Sequence, residues 1–222
     1  IKSIIQKIKN KEIDGINVTI PFKQFVIPFL ETLSNTAIET NSVNTIFNKN
    51  GKIFGDNTDV YGFEQSIINN KINLEGKSAF IFGAGGVVPS IIFALLKLKI
   101  KRIFVSNRTL KKAILIKEKF NLVEVVEWGK IEKCDLFINS TSLGLKKDDN
   151  LGLIYNSFEK SNIFYDVIYN PPKTNLLAEA ENNGHKTLNG RDMFLYQAQK
   201  AFELWHNLTP IIDKKLINYL YD

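Results

Sequence analysis

Ser78-Ala79-Phe80-Ile81-Phe82-Gly83-Ala84-Gly85-Gly86 is the stretch on which the fold turns. A β-rich run ends directly in glycines, and the apolar run Val87 to Leu98 follows at once with helical character. Strand, tight glycine turn and helix N-terminus in that order suit a dinucleotide pyrophosphate. The glycines admit the backbone close to the phosphates, and unpaired helix N–H groups face them. The match to G-x-G-x-x-G is partial: Gly83 and Gly85 hold the first two positions and Val88 the third, so helix and strand are expected to pack slightly further apart there. By itself the turn fits equally an α/β protein that binds no dinucleotide.

Downstream of this turn, and from Leu74 onward, strands and helices alternate, which implies parallel βαβ units. Further strands are expected at 102–105, 122–126, 135–139 and 163–167, with helices at 110–120 and 174–182. The second strand, Arg102 to Val105, ends in Ser106-Asn107-Arg108-Thr109. An NAD site places an acid about 20 residues past the glycines, to bind the ribose 2′-hydroxyl. No acid stands here; Arg108 offers a charged planar fork suited to a 2′-phosphate, and Ser106 and Thr109 add hydroxyls. A surface arginine opening the next helix would give the same residues. Asn139-Ser140-Thr141-Ser142 and Asp166-Val167-Ile168-Tyr169-Asn170-Pro171 each leave a strand at the carboxyl edge, where open sheets bind ligands, and each also reads as an ordinary polar turn. Gly76-Lys77-Ser78 imitates the tail of a P-loop, but Lys71 stands where that motif needs glycine, which excludes a kinase or ATPase reading.

Gly190-Arg191-Asp192-Met193 opens a helix with Phe194, Leu195, Ala198, Ala201, Phe202 and Trp205 at helical spacing, and Gln197 lies on it. A last helix is expected from Pro210 to Tyr221, closing back on the first domain. Upstream, Ile16 to Ile20 is a short strand ended by Pro21, and Phe22-Lys23 follows. The polar stretch Glu39 to Ser42 leads to the strand Val43 to Phe47. Asn48-Lys49-Asn50-Gly51 then turns the chain into Lys52-Ile53-Phe54. Gly55-Asp56-Asn57-Thr58-Asp59 precedes a helical pattern from Val60 to Ile68. Taken alone, Lys23 fits a solvated charge and Asp59 a helix cap as well as they fit a site.

With 222 residues and 44% hydrophobic content the chain accommodates two domains. The formal charge of +6 is scattered, without an Arg and Lys stripe interleaved with aromatics. It is read as a solvated basic surface that steers small anions, not as a nucleic-acid footprint. Cys134 is the one cysteine, which excludes an internal disulfide, fits a reducing compartment and reads as a small buried hydrophobe. No apolar run approaches the roughly 20 residues of a membrane span and no signal peptide opens the sequence, so a soluble cytoplasmic protein is expected. No metal site is expected. Ile4, Ile5 and Ile8 share a helical face at the very start, so a segment upstream of Ile1 is expected to be missing.

Taken in order, these residues resemble the shikimate dehydrogenase family. Asn17-Val18-Thr19-Ile20-Pro21-Phe22-Lys23 is similar to the family's lysine segment, and Val43-Asn44-Thr45 and Asn57-Thr58-Asp59 to its substrate segments. Gly83-Ala84-Gly85-Gly86 is similar to its nucleotide turn, Asn107-Arg108-Thr109 to its NADP-phosphate segment, and Gly190 through Gln197 to its closing helix. The resemblance implies Lys23 and Asp59 as a catalytic pair, and Thr19, Asn44, Asp59 and Gln197 at the substrate's polar groups. It puts Tyr169 and Thr141 near the nicotinamide or substrate, and it groups Gly190 with the cofactor residues. The implied cofactor is NADP, and the implied reaction is reduction of 3-dehydroshikimate to shikimate by NADPH. The implied fold is α/β, with a substrate domain at 1–59, a Rossmann-like parallel-sheet nucleotide domain at 60–189 and C-terminal helices at 190–222 returning to the first. The partner is a small molecule, and the protein a monomer or homodimer.

Reaction chemistry is consistent with this. Reducing a ketone needs a proton donor; His185 and His206 occupy no motif, which leaves lysine, and a carboxylate beside it favours its charged form while burial opposes it. There are departures from the family. Its early strand and the serines that hold the substrate carboxylate have no counterpart here, so substrate turnover by the chain starting at Ile1 is expected to be poor. Val87 and Val88 replace small residues. Alternatives are an NAD-dependent quinate/shikimate dehydrogenase and an NADP-binding regulatory protein without catalysis.

Overall fold

A computed structural model of the chain describes residues 1–219. Helix α1 (Lys2–Lys9) is followed by β1 (Gly15–Asn17), β2 (Thr32–Leu33), α2 (Asn35–Thr40), β3 (Thr45–Lys49) and β4 (Lys52–Asp56). The strands form a four-stranded sheet in the order β1-β3-β4-β2. In the β3-β4 hairpin Lys49 faces Lys52 across Asn50 and Gly51, whose φ angles of 53° and 82° are the left-handed pair that a two-residue turn of primed type needs. Ile8, Val26, Ala37, Val43, Ile46 and Ile53 make the core of this layer.

Helix α3 (Thr58–Asn69) leads away to β5 (Ser78–Phe82), α4 (Val88–Lys97), β6 (Arg102–Ser106), α5 (Leu110–Lys119), β7 (Val123–Val126), β8 (Leu136–Asn139), β9 (Ile163–Asp166), α6 (Asn175–Asn182) and β10 (Lys186–Leu188). The six strands are all parallel, in the order β10-β9-β8-β5-β6-β7. Chain order runs outward both ways from the β5-β8 pair, so the crevice beyond the carboxyl ends of β5 and β8 is the switch point at which such sheets bind ligands. The period of two along β5 divides the core. Ala79 and Ile81 join Val60, Phe63, Ile91 and Leu95 of α3 and α4 on one face. Phe80 and Phe82 join Phe104, Phe137, Phe164 and Leu177 of α6 on the other, where Phe137 and Phe164 stack at 5.3 Å.

The chain returns through α7 (Arg191–His206), followed by α8 (Lys214–Asn218). Helices α7 and α3 cross closely at Gly62, where a Cβ would lie 2.5 Å from the Met193 carbonyl oxygen. The far end of α7 is fixed on the small sheet by Trp205, whose Nε1 donates to Thr45 Oγ1 at 3.0 Å.

Three expectations change. The strand read at Ile16 to Ile20 stops at Asn17: Val18 N–H still reaches the Asn44 carbonyl, but the chain then turns, with Phe22 N–H donating to the Thr19 carbonyl. Asp59 is not the cap of α3; Asn57 is, accepting from Asp59 N–H at 3.1 Å, and the helix starts at Thr58, not at Val60. The last helix, expected over 210–221, begins at Lys214, capped by Asp213, and is described over Lys214–Asn218; positions 220–222 lie outside the described residues. Among the described residues no helix is long and apolar enough to cross a membrane.

Candidate active site

The turn that ends β1 carries Thr19 and Lys23, the residue before β3 is Asn44, the first turn of α3 carries Asp59, and α7 carries Gln197. Together they line a cleft of about 460 Å³. Lys23 Nζ donates to Asp59 Oδ2 at 2.5 Å, with side chains only 17% and 9% exposed. The other oxygen, Asp59 Oδ1, accepts from Asn44 Nδ2 at 3.0 Å. Asn44 Nδ2 also lies 2.9 Å from Thr58 Oγ1 and 3.3 Å from Gln197 Oε1, while Asn44 Oδ1 accepts from Thr58 N–H at 2.8 Å. Asp59 is therefore held three ways: by the positive end of α3, by an amide, and by an ammonium. Thr19 is exposed on the rim of the cleft.

Asn57 sets this corner. Its Oδ1 caps α3 at Asp59 N–H, and its Nδ2 donates to Thr40 of α2 at 2.8 Å and to Ser90 of α4 at 2.9 Å. One buried amide thus joins the acid of the cleft to the helix that follows the glycine turn.

That turn forms a second cavity of about 320 Å³, lined by Gly83, Ala84, Gly85, Asn107, Arg108, Lys112, Trp128 and the segment Ser140 to Leu143. Gly83 has φ +105°, and a Cβ there would fall 2.7 Å from Ser140 Oγ. Beside Gly85 and Gly86 nothing lies closer than 3.9 Å to where a Cβ would stand, which leaves their backbone open to a ligand. Asn107 Oδ1 accepts from Ala84 N–H at 3.1 Å and its Nδ2 donates to the Thr109 carbonyl at 2.9 Å, so this side chain braces the glycine turn against the end of β6. Arg108, just before the cap of α5, and Lys112, in the first turn of that helix, give the cavity two cations, and no lining residue is acidic. Open glycine backbone, two cations and no acid fit a dinucleotide carrying an extra phosphate. Thr109 caps α5 by position and stands outside the cavity lining.

The cleft and the cavity adjoin, since Val87, directly after the glycines, lines the cleft. Tyr169 lines it too, its ring stacked on Phe194 at 4.5 Å. Gly190 is a close-approach glycine: a Cβ there would sit 2.0 Å from the Val167 carbonyl oxygen. The Thr141 hydroxyl donates to Asn139 Oδ1 at 2.7 Å and accepts from Leu143 N–H at 3.0 Å, so it shapes its loop as well as facing the cavity. Lys112, Trp128 and Ser90 escape a reading of the sequence alone. Lys112 has a signal, its place in the first turn of the helix that follows Arg108; Trp128 and Ser90 have none.

The chain also matches known proteins. Residues 1–46 match the family model described as shikimate dehydrogenase substrate binding domain, and residues 65–146 that described as shikimate / quinate 5-dehydrogenase. The shikimate dehydrogenase (NADP(+)) of Pelagibacter ubique is 48% identical over 220 residues, covering 99% of this chain and 83% of that protein. Among solved structures, shikimate dehydrogenase from Aquifex aeolicus superposes with a TM-score of 0.86 at 34% identity, covering 100% of this chain and 82% of its own. The Thermus thermophilus shikimate 5-dehydrogenase in complex with NADP(H) and shikimate gives 0.87 at 29%, covering 99% and 82%. Identity and coverage of this extent, with the shared fold, show that the chain belongs to the shikimate dehydrogenase family.

Proposed function

We propose that this chain reduces 3-dehydroshikimate to shikimate with NADPH, using Lys23 as the proton donor. The observation that carries the reading is the Lys23–Asp59 pair at 2.5 Å, set in a cleft that adjoins a glycine turn with two cations and no acid. NADPH, when bound, supplies the hydride to the carbonyl carbon. Lys23 Nζ gives its proton to the carbonyl oxygen as charge develops there, and solvent restores that proton, since the Lys23 side chain is 17% exposed. Asp59, 2.5 Å away, points Lys23 Nζ into the cleft and balances its charge. Asn44, Gln197 and Thr19 offer amide and hydroxyl groups to the substrate's hydroxyls, and Tyr169 covers the cleft beside Phe194.

With this goes a division of labour along the chain: 1–59 and 190–222 for the substrate, 60–189 for the cofactor. Cytoplasmic residence accompanies the reading, in keeping with one buried thiol. The test is a set of steady-state assays pairing shikimate or quinate with NADP or NAD. Shikimate with NADP is expected to give the highest kcat/KM. A preference for quinate with NAD, or cofactor binding without any turnover by protein that carries the family's early segment, would overturn the assignment.

A further inference from the structure

Behind the cofactor cavity, one carboxylate among the described residues is completely buried, that of Asp166 at the end of β9. Every hydrogen bond found to it is a donation. Asn139 Nδ2 lies 3.1 Å from each oxygen, Ile168 N–H reaches Oδ1 at 3.0 Å and the Thr174 hydroxyl reaches Oδ2 at 2.7 Å. A carboxylate only accepts, so Asn139 must turn its NH₂ toward Asp166 and its Oδ1 away. That oxygen then takes both Thr141 N–H at 3.0 Å and the Thr141 hydroxyl at 2.7 Å. The remaining Asn139 proton goes to the Leu143 carbonyl at 2.8 Å. The loop from Ser140 to Leu143 is therefore tied near both ends to a single amide, and all four of its residues line the cofactor cavity.

We infer that Asp166 is a positioning residue for the reaction: by fixing the orientation of the Asn139 amide, its carboxylate holds the Ser140 to Leu143 loop in the shape that receives the cofactor. The inference rests on the reading of that cavity as the NADPH site. Burial pushes the Asp166 carboxyl above its ordinary range, and the donations from Ile168, Thr174 and Asn139 work against that. An amide, a hydroxyl and a backbone N–H all turned toward one buried group are what an ionised Asp166 requires.

The two partners can be tested against each other. Asp166→Asn keeps the volume but discharges the acceptor and leaves one oxygen for donors that had two. The NADPH dissociation constant, read by fluorescence, is expected to rise roughly 10-fold, the effect of weakening one charge-assisted bond. The KM for 3-dehydroshikimate at saturating NADPH should change far less. Asn139→Asp sets two carboxylates face to face and should weaken NADPH binding more strongly. In the double variant the carboxylate now at position 139 can still accept from Thr141, while the amide now at position 166 donates to it. Asp166→Asn, harmful in the wild type, should therefore improve binding in the Asn139→Asp background. Thermal melts of all four proteins separate a loop effect from unfolding. NADPH affinity unchanged in Asp166→Asn, or affinities that merely follow the melting temperatures, would overturn the inference. Wild-type protein carrying the family's early segment that binds NADPH without reducing 3-dehydroshikimate would instead contradict the proposed function and leave the binding comparison intact.

Discussion

Lys23 owes its place to residues far away in sequence: the turn after β1 brings it forward, and Asp59 at the start of α3 catches its Nζ at 2.5 Å. If it donates the proton in the transition state, Lys23→Met in protein that carries the family's early segment should lower kcat roughly 10²–10⁴-fold while substrate affinity moves little. Asp59→Asn should also slow turnover, and the double variant should be less than additive, because the pair acts as a unit. A sharp rise in KM with kcat within a few-fold of wild type would show that Lys23 only anchors a substrate hydroxyl. On the cofactor side, Arg108→Ala should weaken NADP binding by about 10- to 150-fold, the worth of a charge-assisted pair to phosphate. NAD binding should stay nearly unchanged, since the cavity has no acid that Arg108 balances. Calorimetric titration with both cofactors decides it, and equal weakening for the two would remove Arg108 from the phosphate.

At the scale of elements, the ends of strands do the joining. Asp135, just before β8, accepts from Ser78 N–H at 2.9 Å, the Ser78 hydroxyl at 2.8 Å and Lys77 Nζ at 3.0 Å, which ties the start of β5 to its central neighbour. Burial pushes the Asp135 carboxyl up, but the donations from Ser78 and Lys77 outweigh it and the group lies below its ordinary value. A depressed carboxyl contributes stability above the unfolded pKa, about 3.9 for aspartate, and that contribution is lost as pH falls through the lower, folded value. Asp135→Asn should therefore melt at a lower temperature than wild type at neutral pH, and the gap should close as pH drops below about 4. Melting curves across that range would refute the account if the gap stayed constant or widened with acid.

Across the whole molecule, the two sheets are linked by α3, α7 and the Asn57 amide that reaches α2 and α4 at once. Cys134, at 7% exposure, belongs to the aromatic core on one face of the larger sheet and lines a cavity of about 410 Å³ with Phe137 and Phe158, so its reactivity reports on how far that core opens. Burial pushes its thiol up to about 12, so at neutral pH almost no thiolate exists to react. Native protein should resist alkylation, denatured protein should label fully, and NADPH should slow the residual native rate, because a ligand that binds only the folded chain lowers the unfolded population. Rapid labelling that NADPH does not affect would mean that Cys134 is reached through local opening.

Features written in contiguous residues were legible before any fold was known. The strand Ser78 to Phe82 running into Gly83-Ala84-Gly85-Gly86 and the βαβ alternation specified the parallel sheet, and the Asn107-Arg108-Thr109 segment pointed to the proposed cofactor end, because period, glycine and charge are local signals. The ordered segments around Lys23, Asn44 and Asp59 named the family. Elements too short to show a period escaped: α2 from Asn35 to Thr40, capped by Ser34, and the edge strand β10, from Lys186 to Leu188. Which side chains meet was settled by the folded chain alone. Asn44 touches Gln197 across most of the chain, Asn57 reaches Ser90, and Asp166 orients Asn139. Those pairings come from strand order and helix crossing, and a buried polar group finds its partner only once the backbone around it is closed.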